Sequence, residues 1–443
     1  SLATAILVTR VTTSETMTHQ AKSQLNNPVA LVVAGGILIL LGLVPGMPSM
    51  IFLFLGLISS GVGFWLLRLT NPMTESLDSQ ISAQPLQSEA INEELDWDDV
   101  EQVDVVGLDI GYGLIPLVNP ETGGQLLPRV KGVRKKLSAE LGFLIQPIRI
   151  RDDLDLNPDV YHIVMNGVVR GKGEVKIGRE LAINPGQAQG VLDGITTREP
   201  AFGLEATWID GSQRDYAKTL GYTVVDPATA IATHLNTLLR DNSSELLSHD
   251  ETQQLLNKVA ARSPKLVEDL VPGKLPLATV TRVLQNILEE SVSVRDMRTI
   301  IEVLSTESSL TQNADELTAA VRPKLGRMIV QGLVDINDSL PVMTLNPTLE
   351  QMLHNVLQQN SNNQGLVIEP QLAEGLFKSL SQNAEEIENQ GQPAVLVVSP
   401  AIRPWLAKLI RNRLSDITVL SYSEIPDDQS IKVVATIDVE NTQ

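Results

Sequence analysis

Two uncharged apolar runs, Pro28–Val44 and Ile51–Leu67, stand near the start of the chain, separated only by Pro45-Gly46-Met47-Pro48-Ser49-Met50. At 1.5 Å per residue each run reaches roughly 25 Å, enough for a short transmembrane helix, so the pattern predicts a helical hairpin across a bilayer. Arg10, Lys22 and Arg68 flank its open side while the connecting loop carries no charge, which places both ends in the cytoplasm. The sequence starts inside another apolar stretch, Leu2–Val8, and its first basic residue, Arg10, follows that stretch. A cleaved signal peptide has the reverse order, so the expectation is the C-terminal part of a larger membrane protein.

Beyond the hairpin the pattern changes twice. No Lys or Arg occurs between Arg68 and Arg129, while Glu75, Asp78, Glu89, Glu93, Glu94, Asp96, Asp98, Asp99, Glu101 and Asp104 accumulate. Such a run repels itself and reads as an extended linker, with Trp97 set among acids as either the first packed residue of a domain or a docking anchor. From Val103 onward strand-like segments predominate: Val103–Asp109, Ile148–Ile150, Tyr161–Met165 and Gly173–Ile177, with a helix over Val130–Leu141. Tyr161–Lys176 predicts a hairpin turning at Gly171 to Gly173. Its Gly171-Lys172-Gly173 lacks the four-residue spacer and the following Ser or Thr of a phosphate loop.

Residues 227–330 read as amphipathic helices with explicit start signals. Ser248 and Glu251 form a capping box, Pro264 follows Ser263 at a first helical position, Ser293 with Asp296 and Asn313 with Glu316 predict two further caps. Leu277, Val280, Val283, Leu284, Ile287 and Leu288 trace one apolar stripe. A helix over Leu349–Leu357, a strand Ala394–Val398, a helix Arg403–Leu414 and strands Ile417–Tyr422 and Ile431–Ile437 then predict a second α/β unit, with Gln358–Gly365 and Gln390–Pro393 as loops.

Composition narrows the function. A net charge of −19 disfavours nucleic acid, whose phosphates require clustered cations. With no Cys and five scattered His, disulfides, thiolate sites and paired histidine ligands on one helical turn are excluded, and neither a metal nor a cofactor is expected. Nucleophile elbow, Walker loop, zincin motif and dinucleotide fingerprint are all missing. The pairs Asp152-Asp153 and Glu289-Glu290 read as solvated surface. His234 with Glu199 or Asp226 is the acid–base pairing to weigh, and a membrane-tethered hydrolase or transferase using Glu199 and His234 needs both side chains in one pocket.

Several stretches resemble the FHIPEP family of type III secretion export-gate membrane proteins. Leu7–Val11 and Leu41–Pro48 resemble its last membrane segments; Gly111–Val118, Pro200–Leu204, Asp226–Leu235, Asp269–Gly273 and Val294–Arg298 resemble its cytoplasmic motifs, in family order. Leu420–Pro426 and Val283–Leu288 look flagellar, with a virulence injectisome as the alternative. The resemblance implies an α/β multi-subdomain cytoplasmic region tethered by a linker to the transmembrane hairpin. On it the chain divides into a remnant of the upstream membrane part (1–27), the hairpin (28–70), an acidic linker (71–104), a first α/β subdomain (105–177 and 227–246), a small inserted α/β subdomain (178–226), a helical subdomain (247–326) and a C-terminal α/β subdomain (327–443). It further implies no enzymatic step, a nonameric ring beneath the bacterial inner membrane, and partners that are flagellar export chaperones with bound substrates, other export-gate membrane proteins and the export ATPase complex. The chaperone-docking positions of the family, between its first two subdomains, fall on Glu199, Phe202 and Thr233, with Glu199 in place of a more usual Asp; its linker-docking positions fall on Glu94, Trp97 and Asp99.

Overall fold

The computed structural model describes residues 103–119, 121, 123–360, 369–414 and 416–439. The hairpin, nearly all of the acidic linker and the linker positions Glu94, Trp97 and Asp99 lie outside the described residues. Among those described, no helix is long and apolar enough to cross a membrane.

The first sheet has the order β2-β1-β3-β4. Strand β1 (Val106–Ile110) leads through helix α1 (Leu126–Leu141) to β2 (Arg149–Asp152), which pairs with it in parallel; β3 (Val160–Met165) and β4 (Val168–Glu174) then add an antiparallel hairpin. Alternation drives Tyr161, Ile163 and Met165 inward, and α1 covers them with Leu126, Val130, Leu137 and Leu141, spaced to share one helical face. The hairpin turns at Asn166 and Gly167, both at positive φ (49° and 78°), rather than at the expected Gly171–Gly173. Asn-Gly supplies the two left-handed residues a two-residue hairpin turn requires, and that local chemistry outweighs the later glycines. Gly171 and Gly173 lie inside β4, which removes any phosphate-loop geometry.

A second sheet, in the order β6-β7-β5-β8, is wholly antiparallel: β5 (Arg179–Ile183), β6 (Ile195–Arg198), β7 (Glu205–Asp210) and β8 (Thr223–Val225), with α2 (Arg214–Thr219) between the last two. Successive residues part to opposite faces. Leu181, Ala206 and Trp208 join the core of the first sheet, whereas Ala182, Ile209, Ala217 and Val224 form a small core with α2. The chain returns through α3 (Pro227–Asp241), whose N-cap Asp226 accepts from Thr229 N–H and pairs with Arg129 of α1 at 2.7 Å.

Five helices follow: α4 (His249–Ala260), α5 (Pro264–Leu270), α6 (Leu277–Glu289), α7 (Met297–Glu307) and α8 (Ala314–Gln331). The Ser248–Glu251 capping box forms, Pro264 opens α5, and the α6 stripe is buried from Val280 to Leu288. The cap of α7 is Asp296 alone, which accepts from Thr299 N–H; Ser293 instead donates to Leu141 O at the end of α1. Helix α8 runs unbroken past residue 326.

The third sheet is parallel throughout, in the order β11-β10-β9-β12, from β9 (Leu340–Leu345), β10 (Val395–Val398), β11 (Thr418–Ser421) and β12 (Ile431–Ile437). Helices α9 (Pro347–Asn360) and α10 (Pro370–Glu388) connect β9 to β10, α11 (Arg403–Arg411) connects β10 to β11, and all three pack on one face with Met343, Leu345, Leu396 and Val398. Leu340, Val342, Val395, Val397 and Leu420 join the core of the helical layer instead. Burial on both faces suits parallel strands, whose uninterrupted apolar runs match.

Candidate functional site

The β6–β7 hairpin ends in the loop Glu199–Leu204. Glu199 N–H donates to Leu204 O at 2.8 Å and Gly203 N–H to Glu199 O at 2.9 Å, closing the loop at its base; Gly203 takes φ +70° to do so. The Glu199 carboxylate turns back beneath its own loop. One oxygen accepts from Ala201 N–H at 2.9 Å and the other from Phe202 N–H at 2.7 Å, and the side chain is left 2% exposed. Phe202, held by that closure, is 65% exposed. Of the phenylalanines among the described residues, Phe143 and Phe377 are buried and Phe202 faces water.

Phe202 forms one lip of a cleft of about 630 Å³. Thr237 and Asp241 of α3 wall it on one side, Arg411 of α11 and Asp416-Ile417 ahead of β11 on another. The sequence reading put the docking patch between the first two sheets; the cleft lined by Phe202 is bounded by the helical layer and the third sheet as well. Thr233 is half-buried on α3, one turn before Thr237. Of the expected docking residues, Phe202 alone lines the opening, and Glu199 is internal.

The Glu199 charge acts on the His234 imidazole and on the Tyr161 phenol. Their chemistry is already committed. His234, 6% exposed, is hydrogen-bonded through Nδ1 to the Tyr161 hydroxyl at 2.9 Å with the rings edge to face, and Glu199 is engaged with two loop amides. Burial pushes the His234 pKa down, opposed by Glu199, and burial with that same charge pushes the Tyr161 phenol far above its ordinary value. Both side chains are buried and engaged with internal partners, whereas acid–base work needs a group within hydrogen-bond reach of the substrate.

Sequence reasoning missed the charged network at the back of the cleft. Glu289-Glu290, read as solvated surface, closes α6 against two arginines: Arg322 on α8 reaches Glu290 at 3.0 Å and Glu424 at 2.7 Å, and Arg403 pairs with Glu290 and, at 3.4 Å, with Glu424. Arg322, Arg403 and Glu424 are each 3% exposed or less. Glu289 pairs with Arg411 on the cleft wall at 2.8 Å. Arg322 and Glu424 are 102 residues apart, Arg403 and Glu290 113, and Arg411 and Glu289 122, so no local spacing announces these pairs. The available signal was Arg322 standing among the apolar positions of a helix, where a cation is kept only by a partner.

The FHIPEP family profile matches residues 1–430. The chain is 41% identical, over 99% of its length, to the flagellar biosynthesis protein FlhA of Salmonella typhimurium, and 32% identical over 99% to that of Bacillus subtilis. It spans 62% and 65% of those relatives, respectively. Among solved structures it is similar in fold to the Chlamydia pneumoniae CdsV protein, with a TM-score of 0.66, 24% identity and coverage of 77% of this chain and 100% of that one. The nonameric EPEC SctV-C structure matches at a TM-score of 0.61 and 21% identity, covering 76% of this chain and 98% of that one.

Proposed function

The chain belongs to the FHIPEP family, and we propose that it is the gate component of a flagellar type III protein export apparatus, docking chaperone–substrate complexes on its cytoplasmic side. The observation that carries this reading is continuous similarity at 32–41% identity, along 99% of the chain, to flagellar biosynthesis proteins. The solved structures that share the fold over three quarters of this chain, one of them a cytosolic domain from a type III secretion system, are 19–24% identical. In this reading residues 28–67 cross the bacterial inner membrane twice, residues 71–104 are the tether, and four subdomains, the helical one extending to the end of α8 at Gln331, hang below as a ring. A relative solved as a nonamer supports that stoichiometry. Further contacts are with other export-gate membrane proteins and the export ATPase complex.

The Phe202 cleft suits such a partner. An exposed aromatic on a rigid lip takes an apolar anchor, and Asp241, Arg411 and Asp416 around the opening supply orientation. Glu94, Trp97 and Asp99 of a neighbouring copy compete for the same place, so occupancy switches by mass action without bond chemistry. The test uses the full chain in lipid nanodiscs, immobilised, with purified flagellar chaperone–cargo complexes passed over it. Phe202→Ala should weaken binding by about 2 kcal/mol or more, the effect of truncating a central anchor. Equal affinity of variant and wild type removes the cleft from the proposal.

A further inference from the structure

An acidic residue beside an exposed aromatic at a docking cleft would ordinarily be taken for a contact to the partner. The geometry at Glu199 points elsewhere. Both carboxylate oxygens face backbone amides of their own loop, at 2.9 Å from Ala201 N and 2.7 Å from Phe202 N, and the side chain is 2% exposed. To meet a partner it would have to leave two charge-assisted hydrogen bonds and strand two amides under the loop. The Tyr161–His234 pair lies close enough to feel the Glu199 charge, and Gly171 and Gly173 of β4 leave space for those rings, since a Cβ there would fall 2.9 Å from His234 Nε2 and 2.5 Å from the Tyr161 hydroxyl oxygen.

We infer that Glu199 is a positioning residue: it acts on the partner only through Phe202, by fixing the loop that holds the ring in the open. This rests on the docking role of the Phe202 cleft and deepens it. The benefit is preorganisation, because a ring already fixed by its backbone has less freedom to lose on binding. Chain chemistry sets what can replace Glu199. An Asp can close the same loop, as acidic residues do when they accept from amides two and three positions on. A Gln keeps one acceptor and turns an amide donor toward a donor.

The experiment compares wild type, Glu199→Asp and Glu199→Gln in the full chain, with two readouts. Amide hydrogen exchange in the peptide covering 199–204 should accelerate roughly tenfold or more in Glu199→Gln, the effect of losing about one hydrogen bond, and stay near wild type in Glu199→Asp, with the third sheet as internal reference. Binding of the chaperone–cargo probe should weaken in Glu199→Gln, recover in Glu199→Asp, and be no weaker in Glu199→Gln/Phe202→Ala than in Phe202→Ala alone. Unchanged exchange in Glu199→Gln, or failure of Glu199→Asp to protect the loop, overturns the inference. So does a further loss in the double variant, which would mean that Glu199 touches the partner. A probe that fails to bind wild type counts against the docking role itself, and the exchange comparison still decides whether Glu199 holds the loop.

Discussion

Gly173 shows how tightly individual residues are set around the candidate site. A Cβ there would meet the Tyr161 hydroxyl oxygen at 2.5 Å and the ring at 2.6 Å, and Tyr161 is fully buried with no room to swing away. Gly173→Ala should therefore destabilise by about 1–3 kcal/mol, the usual result of forcing an extra methyl into a packed core; an unshifted urea midpoint would count against it. His234, on the other face of the same contact, has a pH consequence. Its folded pKa lies below the unfolded one because burial disfavours the imidazolium. The unfolded chain then binds the proton more readily, so stability is fully present above about pH 6.5 and is lost as pH falls from there through the folded value. Tyr161 and Glu199 are the titratable groups facing it; the phenol stays protonated, and the Glu199 charge only moderates the shift. His234→Asn should flatten the decline in urea midpoint between pH 7.5 and 5.5, and an unaltered slope would assign the acid sensitivity to other groups.

At the scale of elements, legibility followed how local the determinants are. Helix α4 is specified by adjacent residues: Ser248 accepts from Asp250 N–H at 3.1 Å while Glu251 accepts from Ser248 N–H at 3.0 Å. Ser248→Ala should cost about 1 kcal/mol in unfolding free energy, as loss of an N-cap oxygen does, and an unchanged thermal midpoint would show the box to be redundant. The stripe of α6 and Pro264 at the start of α5 were legible for the same reason. Strand β9 was not. It is a buried Leu-Pro-Val-Met-Thr-Leu run lacking two-residue alternation because both faces are covered, and Pro341 reads as a breaker until its place near the strand start is known. Helix α10 was also missed, although Pro370 opens it and Leu376, Phe377, Leu380, Ala384 and Ile387 share its buried side; intervening Glu, Gln and Asn dilute the stripe. At the site, the resemblance located the Phe202 loop, but residue types alone gave no hint that Phe202 faces water and Glu199 faces inward. An acid normally minimises its free energy in solvent, and only the loop's unsatisfied amides reverse that preference.

Across the whole molecule the question is what joins the third sheet to the helical layer. Two kinds of contact meet there. Leu340, Val342, Val395, Val397 and Leu420 enter the core of the helices, a seam worth on the order of 1.5–3 kcal/mol for each fully buried side chain. Beside it, Arg322 and Arg403 face Glu290 and Glu424. Desolvation offsets much of the attraction in such a cluster, so its net contribution is small while the loss of a single member is not. The apolar seam supplies the adhesion, and beside the ionic cluster Glu289 pairs with Arg411 on the cleft wall at 2.8 Å. Glu424→Ala leaves Arg322 and Arg403 to share Glu290 and should lower stability by about 3–5 kcal/mol, read from urea unfolding. Arg322→Met/Glu424→Leu, which removes one opposite pair and fills the space with apolar atoms, should recover most of that loss, because Arg403 keeps Glu290 and the carbonyl of Val419 at 3.1 Å. A double variant as unstable as the single one would mean that the charges hold the sheet in place and the apolar seam does not.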